Sequence, residues 1–449
     1  MTKPREKSPR RLPAWRLVLA GNVLFLGLVS LLTDLASEMI YPLLPLFLAG
    51  LVPLGMAPVY VGIMEGVAET TASIVKLLSG RFSDVSGRRR PLVLAGYALS
   101  SLGRPLMALA TAGWHVIALR FLDRVGKGIR TSPRDALITD SVPSSVLGRA
   151  FSFHRMMDHT GAVLGPLCAL ALLAALGVGA GAFATAGGRP DAAQMSALRW
   201  IFGLALVPGV LAVVCVLIGV RDRPTTGPAA NAVSDPSNAE RVDGRGAADR
   251  HDGAPRGQVR AGLSRRFYSY VGIVTLFSLG NSSDLFLVFY GMLRFGLGVG
   301  GLIGLWIVLH LSKVVFSLPG GALSDRLDRR LIVIVGWVVY ATVYAGFALM
   351  TQPWHLWSLL VLYGAYYGLT EGGERAIVAE VVRPDQRGTA YGVFHAAVGL
   401  AALPASLVFG VLWVVIGPQT AFALGAGLAG LAAILLGAWR LATPAWDSR

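Results

Sequence analysis

Twelve stretches of about 20 predominantly apolar residues, the length a helix needs to cross a bilayer, follow one another along this chain of 449 residues. In lipid the backbone has no water to bond, so such stretches must close their own hydrogen bonds as helices. The expected fold is therefore all-α and integral to a membrane, with twelve transmembrane helices. Composition agrees: 54% of the residues are apolar and 14% charged, against about 25% charged in soluble proteins. Cys168 and Cys215 both sit inside apolar runs, where they read as small core residues and not as a disulfide or metal pair.

A formal charge of +15 does not point to nucleic acid, because the basic residues gather in alternate segments between the spans. Lys3 to Arg16, 81–90, the long middle segment, 326–330, 383–387 and the C-terminus are basic, whereas 51–58, 111–114 and 296–301 are nearly free of charge. This is the positive-inside pattern. It predicts a multi-pass protein with both termini in the cytoplasm. Scarce lysine beside abundant Arg, Ala and Gly hints at a GC-rich bacterial source, and hence at the cytoplasmic (inner) membrane. The basic, then apolar N-terminus lacks a convincing cleavage site and reads as a retained first helix. The expected organisation is a cytoplasmic N-terminus at 1–16, a six-helix bundle at 17–220, a disordered cytoplasmic linker at 221–266, a second six-helix bundle at 267–441 and a cytoplasmic tail at 442–449.

The two bundles read as copies. GRFSDVSGRRR from Gly80 recurs as GALSDRLDRRL from Gly321, setting Asp84 against Asp325 at an offset of 241. DALITDSV from Asp135 recurs as RAIVAEVV from Arg375, setting Asp140 against Glu380 at an offset of 240. Two independent matches at nearly one offset indicate duplication. Parallel repeats of six helices place a solute site between the halves near the midplane, with alternating access by rocking.

Charged residues at the bilayer centre cost about 2.5–3.5 kcal/mol each on insertion scales, so they must face a cavity or one another. The fourth stretch carries Arg120, Asp123, Arg124, Lys127, Arg130, Arg134 and Asp135, all within an arc of about 140° at 100° per residue. Arg124 and Lys127, nearer the midplane, are candidate solute contacts. Arg130, Arg134 and Asp135, nearer the cytoplasmic end, are either a gating network or solute contacts. Counter-charges come from the first stretch, where Asp34, Glu38 and Tyr41 share a stripe, and from the second, with Glu65, Glu69 and Lys76. A buried carboxylate beside a cation can trade it for a proton when its surroundings change. Asp34, Glu38 and Glu69 are thus candidate carriers of a coupling proton, the alternative being permanent salt bridges. In the second half, Asn281, Asp284 and Glu371 are candidates for the opposite cavity wall, and Arg375 is a partner for Glu371 or Glu374. His154, Asp158 and His159 invite a metal reading, but His159 leaves the face that the other two share. A gating hydrogen-bond cluster fits better, and no resident metal or cofactor is expected.

The loop motif from Gly80 to Arg90 resembles the one between helices two and three of the major facilitator superfamily. The resemblance implies a cytoplasmic latch in which the aspartate meets a helix N-terminus of the other half. Gly80, Asp84, Gly87, Arg88 and Arg89 would form it, with Gly321, Asp325, Arg329 and Arg330 as a second copy. Val85 and Asp328 depart from the pattern. The segment RFLDRVGKGIRTSPRDA from Arg120 is similar to the basic helix-four signature of prokaryotic efflux-type members, and Gly161, Gly165 and Pro166 partly match an antiporter motif. The implied fold is two pseudo-symmetric six-helix bundles. The implied function is a proton-coupled exporter, an antiporter of a small organic or amphipathic solute. The rivals are an importer or exchanger of an anionic metabolite gripped by Arg124 and Lys127, and a metal-ion exporter. The expected partners are the solute, protons and the lipid bilayer, with no nucleic acid, and the expected state is a monomer. An enzyme is not expected, because the sequence has no nucleophile elbow, paired-cysteine zinc site or phosphate loop.

Overall fold

The computed structural model describes residues 14–19, 21–53, 56–178, 190–222, 262–282, 284–297 and 299–443. Most of the expected N-terminal segment, linker and tail (1–13, 223–261 and 444–449) lies outside the described residues. After a short helix at Ala14–Val18, the first six spans are α1 (Gly21–Leu51), α2 (Ala57–Ser86), α3 (Arg90–Leu109), α4 (Gly113–Ser141), α5 (Leu147–Ala175) and α6 (Ala192–Gly219). The second six are α7 in two segments (Arg265–Gly280 and Asp284–Phe295), α8 (Val299–Arg326), α9 (Arg329–Leu349), α10 (Pro353–Val381), α11 (Arg387–Val415) and α12 (Pro418–Ala442). Among the described residues there is no strand.

Eight of these spans are long and apolar enough to cross a membrane by length and composition alone. The other four fall short because α7 is split and because cavity-facing and aromatic side chains lower the hydropathy of α2, α4 and α10. Large apolar side chains cover the outside: Leu349, Val414 and Leu441 are 79%, 84% and 81% exposed, a surface suited to lipid.

Several spans are interrupted where the sequence reading has them continuous. In α1, Pro42 opens a 3-10 turn at Tyr41–Leu43, since proline lacks the N–H that an α-helix needs. The break in α7 has a different cause. Asn281 leaves helical geometry at φ −99°, ψ 91°, and the freed carbonyl of Gly280 accepts the Tyr340 hydroxyl at 2.9 Å. A broken helix is tolerated at membrane depth only where the released backbone groups find such partners.

Within the first bundle α1 lies along α5 and α2 along α4; in the second, α8 lies along α10 and α9 along α12. The halves meet along two seams, α2 with α11 and α5 with α8. Glycine sets both. A side chain at Gly80 would run into the Gly388 carbonyl, and a Cβ at Gly148 would sit 2.9 Å from the Gly321 carbonyl. The α1–α5 contact is equally close, with a Cβ at Gly165 placed 2.6 Å from that of Glu38 and one at Gly161 3.0 Å from that of Asp34. Small residues here bring the acidic stripe of α1 against α5.

Overpacking at such a contact costs about 1–3 kcal/mol, so Gly165→Val is expected to lower the thermal unfolding midpoint of the purified protein by several degrees. Gly203→Ala, where a Cβ meets nothing within 4 Å, is expected to leave the midpoint in place.

Candidate functional site

Between the halves lies a cavity of about 830 Å³ lined by α1, α2, α3 and α4 on one side and by α7, α8, α10 and α11 on the other. Its ionic wall is built on α4, where Arg120, Asp123, Arg124 and Arg130 are all buried. Asp123 holds two cations, Arg104 of α3 at 2.9 Å and Arg120 at 3.4 Å. Arg104 also donates to the Thr33 carbonyl of α1 at 2.8 Å, so one aspartate ties three helices together. Arg124 meets Glu69 of α2 at 3.5 Å. Arg130 donates to Ser100 at 2.7 Å and stacks 4.4 Å over the Tyr97 ring, while Arg120 lies 4.9 Å over the Tyr41 ring.

Two ionic residues of this wall make no direct polar contact with a described residue. Lys127 and Glu38 line the cavity, yet neither side chain has an ion pair within 4.0 Å or a hydrogen bond to a described residue. Asp34 also lines the cavity, and its carboxyl lies within hydrogen-bonding reach of the Asp158 carboxyl on α5. Asp158 also accepts from Ser30 at 2.6 Å and from Arg155 at 2.8 Å. Arg155 leads across the seam to Glu371 of α10 at 3.9 Å, and His159 reaches the same carboxylate at 3.1 Å.

The sequence reading places Asp158 with the α5 histidines and misses its pairing with Asp34. The signal was available in the spacing, since Asp158, Gly161 and Gly165 share the helix face that small residues press onto α1. Also missed were Trp306 of α8 and the apolar stretch of α11 around Leu400 and Leu403, all of which line the cavity. Those positions carry no charge that would single them out.

On the second wall, Asn281 and Asp284 line the cavity. Asp284 is fully engaged, by Lys313 at 2.6 Å, Tyr363 at 2.8 Å and Tyr367 at 3.2 Å, and Lys313 lies 3.8 Å over the Tyr367 ring. Glu371, read from the sequence as a solute contact, is not among the cavity-lining residues and sits at the seam with Arg155 and His159. Arg375, read as a partner of Glu371 or Glu374, feels both carboxylates, donates from its guanidinium to the Glu371 backbone carbonyl at 2.5 Å and also lies 3.6 Å from Asp135 of the other half as an ion pair. Glu374 takes the Trp337 indole N–H at 3.0 Å. Among the described residues no group of three or more metal-ligating side chains occurs.

One end of the molecule, the end bearing the 87–89 and 327–328 turns, is sealed twice over. Asp84 accepts from the backbone N–H groups of Gly388 and Thr389 at 2.9 and 2.6 Å. Asp325 accepts from those of Gly148 and Arg149 at 2.7 and 3.0 Å. Each aspartate thus sits on the unsatisfied donors and positive dipole end of a helix from the opposite half. Arg89 and Arg387 both bind Asp140, the latter at 2.6 Å, and Arg329 binds Glu380 at 2.5 Å. Arg89 therefore corresponds to Arg329. The second turn is one residue shorter: Gly87 ends α2 at φ 66°, whereas Asp328 caps α9, accepting from Arg330 N–H at 2.9 Å, and binds Arg440 at 2.6 Å. Arg88 is exposed and forms no ion pair with a described residue, while Arg330 turns to Thr443 and the Trp439 ring. Deeper along the seam, Asp135 gathers Arg134 at 2.8 Å, His395 at 2.7 Å and Arg375.

Two duplicated six-helix bundles, sealed at one end around a central ionic cavity, define a membrane carrier. The major facilitator superfamily model matches residues 26–373 and 273–449, and the chain belongs to that family of transporters. An uncharacterized MFS-type transporter of Methanocaldococcus jannaschii is 31% identical over 423 residues, covering 93% of this chain and 94% of that one. Multidrug resistance protein MdtH of Proteus mirabilis is 31% identical over 143 residues, covering 32% of this chain and 35% of its own. Among solved structures, the proton:xylose symporter XylE superposes with a TM-score of 0.69 at 17% identity, covering 95% of each chain, a likeness of fold alone.

Removing the charge of Asp325 weakens its hold on the α5 N-terminus. Asp325→Asn, in a protein carrying Ser152→Cys with Cys168 and Cys215 replaced by alanine, is expected to raise maleimide labelling of the introduced thiol several-fold. Ser152 is buried in the α5–α8 seam, so unchanged labelling would mean that the latch does not hold that seam shut.

Proposed function

We propose that the chain is a proton-coupled exporter, an antiporter that moves a small organic or amphipathic solute out of a bacterial cell across the inner membrane. In this reading the sealed, basic end and both termini lie in the cytoplasm, following the charge asymmetry between loops. A single chain supplies both walls of the cavity, so a monomer suffices.

The observation that carries the coupling is the Asp34–Asp158 contact together with Arg155. Two carboxyls within hydrogen-bonding reach draw a proton between them, because two adjacent negative charges repel. Lys127, Glu38 and the cavity face Asp34, while Arg155, His154 and His159 surround Asp158. Adding or removing that proton changes the charge felt by Arg155, which reaches across to Glu371. Proton occupancy thereby biases the equilibrium between the two access states, as a coupled carrier requires. Glu69, held by Arg124, is less free to exchange a proton. Efflux as the direction is favoured by the likeness to a multidrug resistance protein over a third of the chain.

The test uses the same Ser152→Cys reporter in lipid nanodiscs. Labelling is expected to change between mildly acidic and mildly alkaline buffer, and Asp34→Asn or Asp158→Asn is expected to flatten that response. A full response in both variants would reject the carboxyl pair as the proton site. An untargeted metabolite comparison of cells with and without the protein, followed by uptake of the responding solute into inside-out vesicles, checks direction. Uptake that is indifferent to a pH gradient would reject antiport.

A further inference from the structure

Lys127 and Glu38 present opposite charges to one cavity, on different helices, and neither makes a hydrogen bond or an ion pair within 4.0 Å to a described residue, although Arg120, Lys127, Arg124 and Arg104 attract Glu38 over longer range and Glu69 and Asp34 attract Lys127. They are more than 4.0 Å apart, since no ion pair joins them. Everything around them is better served: Asp123 holds Arg104 and Arg120, Glu69 holds Arg124, and Asp284 holds Lys313. A buried charge with long-range attraction but no direct contact is incompletely compensated, and a ligand bearing both signs supplies the missing contact to each.

Across the cavity the lining changes character. Leu400 and Leu403 of α11 are 54% and 52% exposed and face the same space as the Trp306 and Tyr367 rings. The volume of about 830 Å³ lies within the roughly 300–1,000 Å³ of small-molecule sites. An ionic wall carrying a cation and a carboxylate that make no direct contact thus stands opposite an apolar and aromatic wall.

We infer that the transported solute is an amphipathic zwitterion, its anionic group on Lys127, its ammonium on Glu38 and its apolar body against α11, Trp306 and Tyr367. The inference rests on the carrier reading above and fits antiport. An ammonium entering beside Glu38 and Asp34 disfavours a proton there, so solute and proton exclude each other. A purely anionic solute would do the reverse, drawing a proton in with it.

The experiment measures equilibrium binding by titration calorimetry to the full-length protein in lipid nanodiscs, with no gradient. The probes are 3-(1-naphthyl)alanine and the two compounds that each lack one of its charges, 3-(1-naphthyl)propanoate and 2-(1-naphthyl)ethylamine. Naphthylalanine is expected to bind at least about tenfold more tightly than either. Lys127→Gln is expected to erase its advantage over the amine, Glu38→Gln its advantage over the propanoate, and Lys127→Arg is expected to keep both. Equal binding of the zwitterion and either single-charge probe to the wild type overturns the inference. So does a preference that survives both Gln variants, or an absence of binding by all three probes. Because no proton gradient enters the measurement, a flat pH response in the labelling test with the zwitterion preference intact sinks the coupling alone. The opposite combination sinks only the solute class.

Discussion

A charge in hydrocarbon must find an opposite charge, a dipole or water, and the architecture of this carrier follows from how α4 meets that demand. Its buried arginines and aspartates are not all satisfied on one helix, so several recruit a neighbour. Asp123 draws in Arg104 of α3, which in turn bonds the α1 backbone; Arg124 meets Glu69 of α2; Asp135 reaches α10 and α11 in the other half. The ionic face that makes α4 a poor membrane span by hydropathy is what binds five helices around it. Breaking one such buried pair typically costs about 3–5 kcal/mol, so the network also resists random opening.

Duplication explains the frame, and its departures from symmetry explain how the frame works. The two latches are near copies, each an aspartate on the N-terminal amides of a helix from the opposite half, each flanked by an arginine on an acid at the end of α4 or α10. Perfect copying would fail deeper in. Asp135 and Arg375 are equivalent by the offset of 240, yet they touch, which puts them at the pseudo-twofold axis where a residue faces its own counterpart. Identical charges there would repel. The chain carries Arg134–Asp135 in one half and Glu374–Arg375 in the other, so the contact becomes an attraction, and each residue keeps a neighbour of opposite sign on its own helix.

Asymmetry also divides the cavity. The first half contributes nearly all of its ionic groups; the second contributes aromatic rings, the α11 leucines and an Asp284 already bound by lysine and two tyrosines. Glycines at 161 and 165 on α5 let Asp34 approach Asp158, and α1 is thereby joined to a route, through Arg155, that ends on the opposite bundle. The cavity carboxyl of Asp34 and the seam contact at Glu371 are separated by only a few side chains, all of them charged or hydrogen-bonded.

Read alone, the chain determined its medium, its helices and its duplication, because hydropathy and a repeated motif are properties of local sequence. It also narrowed the ionic residues to a short set on α1, α2 and α4, since charge within an apolar span has few places to go. Tertiary structure alone decided which of them meet. Asp34 faces Asp158 and not only the cations of α4; Arg375 reaches Asp135 across the seam as well as Glu371; Glu371 sits at the seam and outside the cavity lining. Those outcomes depend on how far helices approach and rotate against one another. A helix reports its own face through its periodicity, but the partner that face will meet is set by packing summed over the whole bundle.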